Sequence, residues 1–198
     1  MVCKVIDKNI ADSARDFKNI VWPEVAEWLG SGELIPAESV TDSYFCKILD
    51  MYSGIDAWQV VNNKGIRGIA SRVQWGEINW KTWTIRYEKQ SGAKTEYHRL
   101  MNLDTTLLKP SYHIQAYINK KGGELMGVAC IKTEDLISML TSKDYGSSRP
   151  NPEDGTLFLP VYWDRARELG FDVFIYPDDS LAELNVLLDD SDETEFPF

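Results

Sequence analysis

Phe17, Val21, Val25, Trp28 and Leu29 recur at three- and four-residue spacing and give residues 12–29 an amphipathic helical pattern. Pro23 falls inside it. Its ring and missing N–H disfavour a helix interior, so the pattern predicts a kink or two short helices, the second opening on Pro23. Gly30-Ser31-Gly32 ends the segment. Residues 43–52, with Tyr44, Phe45, Ile48 and Leu49, read as a short helix or an extended lead-in.

From Ala57 the pattern turns to strands. Ala57-Trp58-Gln59-Val60-Val61 is followed by Asn62-Asn63-Lys64-Gly65, residues that tolerate the positive φ of a short hairpin. On the second strand, period-2 counting places Ile66, Gly68, Ala70, Arg72 and Gln74 on one face. Residues 79–87 alternate again, and Thr95 caps a short helix through about Leu100, with Glu96 in its first turn. Strands follow at 111–118 and 124–131, then a helix from Thr133 and a loop over 141–156. A strand at 157–163, a helix at 164–169 and a strand at 171–176 complete the body. The order predicts an α/β or α+β fold with a mixed central sheet flanked by helices.

At 198 residues the chain suits one domain with a sizeable core. No apolar run reaches 18 residues, so no membrane partner is expected. The N-terminal Met1-Val2-Cys3-Lys4-Val5-Ile6-Asp7 lacks a signal-peptide core, and a cytoplasmic location is expected. Cys3, Cys46 and Cys130 are widely spaced, giving neither a zinc pattern nor a disulfide framework.

The net charge of −10 is unevenly placed. Residues 178–198 hold eight of the 31 acids and no base, leaving 23 acids against 21 bases for residues 1–177. The expected division is therefore a nearly neutral domain, 1–177, and an acidic tail, 178–198. The body carries one aromatic and basic stretch, in which Trp80, Lys81, Trp83 and Arg86 offer base stacking and phosphate contacts if exposed, or sheet core if buried.

Gly54-Ile55-Asp56, a strand, a turn and a second strand resemble the metal-binding hairpin of the PD-(D/E)XK, or restriction-endonuclease-like, nucleases. That family places an Asp on one strand and an acid-x-Lys triplet on the next. Asp56 matches the first position. At the second, this chain reads Arg72-Val73-Gln74, with Gly76 where the lysine would stand. The resemblance implies a restriction-endonuclease-like fold and Mg²⁺-dependent phosphodiester hydrolysis on DNA. Asp56 and Gln74 would hold the metal, and Arg72 would act on the phosphate. An Arg72–Asp56 ion pair across the hairpin is the structural alternative. Glu24, Glu27 and Asp50 are further acids of the kind the family contributes, or plain surface acids.

The tail ends Asp192-Glu193-Thr194-Glu195-Phe196-Pro197-Phe198 and resembles the tip of bacterial single-stranded DNA-binding proteins. That resemblance implies protein-partner capture through Phe196, Pro197 and Phe198. Two alternatives to a nuclease follow. One is a non-catalytic, single-stranded DNA binder that recruits partners. The other is an inhibitor whose acidic tail mimics nucleic acid.

Overall fold

The computed structural model describes residues 2–37, 53–61, 65–102, 108–152 and 154–178. The expected element at 43–52 with Asp50, the turn residues 62–64 and the tail tip Phe196-Pro197-Phe198 lie outside the described residues.

The chain opens with α1 (Val2–Asp16), which runs through a π-helical turn (Phe17–Val21) into α2 (Trp22–Ala26). The helix begins ten residues before its expected start. The second α-helical segment opens at Trp22, with Pro23 in its first turn as expected to within one residue, and Val21 and Trp22 keep helical angles across the junction. Pro23 would clash with the carbonyl of residue 19 in a regular helix, and the wider turn just before it relieves that conflict. The same turn explains the apolar spacing. Phe17, Val21, Val25 and Leu29 step by four, which over-rotates on a helix of 3.6 residues per turn, and the wide turn keeps all four buried.

Six strands form a mixed sheet: β1 (Glu33–Pro36), β2 (Ala57–Val61), β3 (Gly65–Trp75), β5 (Tyr112–Ile118), β6 (Leu125–Lys132) and β9 (Val173–Tyr176), hydrogen-bonded in that order. The β3–β5 pair is parallel and its other pairs are antiparallel. Between β3 and β5 the chain leaves to form β4 (Thr82–Glu88) and α3 (Glu96–Met101). β4 pairs with β8 (Leu157–Tyr162), which also pairs with β7 (Arg149–Pro150), making a second sheet of three strands.

The alternation of the strands decides which layer each residue meets. Ile69, Val73, Ile114, Ala116, Val128 and Cys130 point to the opening helices and pack with Phe17, Val21 and Val25. Tyr117, Ala129 and Ile131 face the other way. They meet the second sheet, α4 (Thr133–Ser142) and α5 (Trp163–Glu168). Trp83 is 2% exposed in that second core, its ring 6.1 Å from Trp163. Burying each such side chain contributes about 2–3 kcal/mol. The central sheet is thus flanked by helices on one side and by a smaller sheet with three helices on the other.

Candidate functional site

The approach to Asp56 is fixed by backbone. Ile55 is fully buried and lies against Gly68, where an added Cβ would sit 2.8 Å from Ile55 Cδ1 and 3.3 Å from Pro110 Cα. A side chain there would force Ile55 or the backbone at Pro110 to shift, and glycine avoids that. The Asp56 N–H donates to the Ile69 carbonyl at 2.8 Å and its own carbonyl accepts from Ala37 at 2.9 Å. Its Oδ2 accepts the Ser71 N–H at 2.6 Å. Because β2 pairs with β3 only over Gly65–Ile69, the carboxylate caps β3 where that pairing ends.

Beyond that point the second half of β3 borders a cleft of about 1030 Å³. Its floor comes from two strands in register, with Ala70 beside His113 and Arg72 beside Gln115. Arg72 is held on three sides. Nη1 donates to the Thr84 carbonyl and to Thr84 Oγ1 (3.2 Å), and Nη2 donates to Glu96 Oε2 at 2.7 Å. Thr84 Oγ1 in turn donates to Gln115 Oε1 at 3.1 Å. Glu96 also accepts the Arg86 N–H at 3.3 Å, and its Oε1 lies 3.9 Å from His113 Nδ1. Thr95 places Glu96: it caps α3, sharing a reciprocal contact with His98, so the next residue enters the first turn facing β3 and β4.

These contacts set the charge states. Burial would raise the Glu96 carboxyl, but Arg72 beside it, with His113 and Arg86, holds it below its ordinary range. Burial pushes the His113 imidazole down to about 4; Glu96 opposes this, while Arg72 and Arg99 add to it. At neutral pH His113 is therefore uncharged, and Arg72 is the main partner that keeps Glu96 ionised.

Of the residues singled out in the sequence, Asp56, Arg72, Gln74, Trp80 and Arg86 border this one cleft. Trp83 borders it too, but as core rather than as an open platform. Trp80 is 49% exposed, with the Arg149 guanidinium 5.8 Å from its ring centre. Lys81 is not among the lining residues; its carbonyl accepts the Trp163 N–H. Glu24 and Glu27 are exposed on the opening helix and do not border the cleft. The carboxylate bound to Arg72 is Glu96, which sequence reasoning read only as a first-turn helix acid. Arg99, Arg149, His113 and Gln115 also went unrecognised. The available signal was in β5, where two polar residues at i and i+2 interrupt an otherwise apolar run.

No family model, curated protein or solved structure matches the chain. Among the described residues, no helix is long and apolar enough to cross a membrane.

Proposed function

We propose that the cleft binds a DNA strand and that the chain is a DNA-processing protein of restriction-endonuclease-like fold, hydrolysing phosphodiesters at Asp56. The observation that carries this reading is the charge of the cleft. Among the described residues, Arg72, Arg86, Arg99 and Arg149 border it against Asp56 and Glu96, a formal balance of +2 in a chain whose net charge is −10. A polyanion is drawn to such a cleft, while the acidic remainder of the chain repels it. Trp80, exposed and backed by Arg149, suits the stacking of an unpaired base at the rim.

The donor set suits Mg²⁺. Asp56 and Gln74 offer only oxygen ligands from the cleft wall, and Ser71 fixes the carboxylate by its N–H. Among the described residues no group of three or more His, Cys, Asp or Glu could share an ion. Mg²⁺ does not require one, because it keeps several waters and binds one or two carboxylates. Asp56 would hold it, with Gln74 as the neutral oxygen, and the ion would supply Lewis-acid activation of the phosphate. Arg72, locked by Glu96 and Thr84, keeps further N–H donors for a phosphate oxygen on which charge develops.

A second reading, a DNA binder without catalysis, is favoured by one observation. Gly76 stands where the nucleases that this hairpin resembles carry lysine. Incubating the full chain with single- and double-stranded DNA in Mg²⁺ or Mn²⁺ separates the readings. Metal-dependent cleavage that Asp56→Asn abolishes supports hydrolysis. Binding without cleavage supports the second reading, and the absence of both overturns the proposal.

A further inference from the structure

His113 and Gln115 stand two residues apart on β5, facing the cleft, at 7% and 2% exposure. The Gln115 amide has a fixed orientation. Its Oε1 receives the Thr84 N–H at 3.4 Å, and a backbone N–H can only donate. Among the described residues, its Nε2 is buried without a partner, and so is His113 Nε2. Buried polar groups are nearly always hydrogen-bonded, so two neighbouring exceptions facing one cleft mark where ligand atoms belong. Beside His113 on the floor is Ala70, whose single methyl leaves room above it.

We infer that this floor is a subsite for one phosphoryl group of the bound strand, with its non-bridging oxygens accepting from Gln115 Nε2 and His113 Nε2. The inference rests on the strand-binding reading and adds the place where a phosphate sits. It has a consequence for His113. Glu96 lies 3.9 Å from Nδ1 and favours the neutral ring's proton there, so donation from Nε2 requires a second proton. Among the described residues, the charged groups around the ring are Glu96 and Arg99 from α3 and Arg72 from β3. In the free protein burial keeps the imidazole neutral at pH 7. A phosphate at Nε2 adds the negative charge that favours protonation, so binding at mildly acidic pH takes up a proton.

The chain has two histidines, so imidazole NMR signals are readily assigned, with exposed His98 as the internal reference. The full chain is titrated with pH alone, then with inorganic phosphate, with an unphosphorylated DNA oligonucleotide, and with the same oligonucleotide carrying a 5′-phosphate. The expected result is an upward move of the His113 midpoint by about one to three pH units with oligonucleotide, and none at His98. Gln115→Leu is expected to weaken oligonucleotide binding about tenfold. A move with the 5′-phosphorylated strand alone supports the subsite and assigns it to a terminal phosphate. A move with inorganic phosphate but no oligonucleotide binding keeps the subsite and overturns the strand reading. Oligonucleotide binding with His113 unmoved overturns the subsite while the strand reading stands. No response to any of the three anions overturns both. The wild-type measurement does not depend on how Gln115→Leu folds.

Discussion

Arg72 on β3 donates to Glu96 on α3 at 2.7 Å, across the boundary between the central sheet and the helix that follows β4. The two side chains are 24% and 14% exposed, so solvent weakens the pair only partly. Removing one partner leaves the other charged, poorly hydrated and short of a contact. Glu96→Gln or Arg72→Met is expected to lower stability by about 2–3 kcal/mol, somewhat below the range for fully buried pairs. In urea unfolding, the double variant should lose clearly less than the sum of the two. Strictly additive losses would show that the pair is not coupled.

Acid should destabilise the fold in two stages. The folded His113 titrates at about 4, below its ordinary 6.5, so between these values the unfolded chain binds the extra proton. Stability therefore rises with pH across that window and falls on acidification, by about 3 kcal/mol in all. Glu96 is held below its ordinary 4.5, so its contribution is present above that value and is lost as pH falls through the lower folded value. Denaturation midpoints from pH 7 to 4 check this. His113→Gln should flatten the slope above pH 4.5, and an unchanged slope would contradict the burial of a neutral imidazole.

How much of this site the sequence shows depends on how local each contact is. Turn chemistry and alternation place Arg72 and Gln74 on one face of β3 and Asp56 beside it, because hairpin geometry is set within about twenty residues. Glu96 and Gln115 lie 24 and 43 positions beyond Arg72 and reach it only because β3 and β5 pair in parallel around an excursion through β4 and α3. No periodicity encodes that pairing. The π-helical turn before Pro23 was hidden for another reason. Propensity rules assume α geometry, and the π-helical turn changes the register just before the proline.

Gly68 controls Asp56 at one remove. A methyl group there would press on Ile55, which is fully buried, and on the backbone at Pro110. Gly68→Ala is expected to cost about 1–3 kcal/mol and to shift Asp56. Thermal unfolding measures the first effect, and amide exchange at Ser71, whose N–H binds Asp56, reports the second. Unaltered exchange at Ser71 would separate Gly68 from the site.

Trp80 and Trp83 should respond oppositely to truncation. Trp80 is half exposed at the rim, so Trp80→Ala should leave stability within about 0.5 kcal/mol and weaken DNA binding about tenfold. Trp83 fills the second core, so Trp83→Ala should cost about 3–5 kcal/mol in unfolding experiments. A stable Trp83→Ala protein, or one in which Trp80→Ala binds like wild type, would contradict these assignments.

The proposed role of the cleft as a site for a DNA strand is tested most directly by the salt dependence of oligonucleotide binding. For the full-length chain, log K for a single-stranded oligonucleotide should fall linearly with log salt, with a slope of about −0.7 for each phosphate neutralised. Arg149→Ser, which removes one rim cation, should lower affinity and make that slope shallower by about one such increment. Absence of binding at low salt, or a wild-type slope retained in Arg149→Ser, would contradict the account.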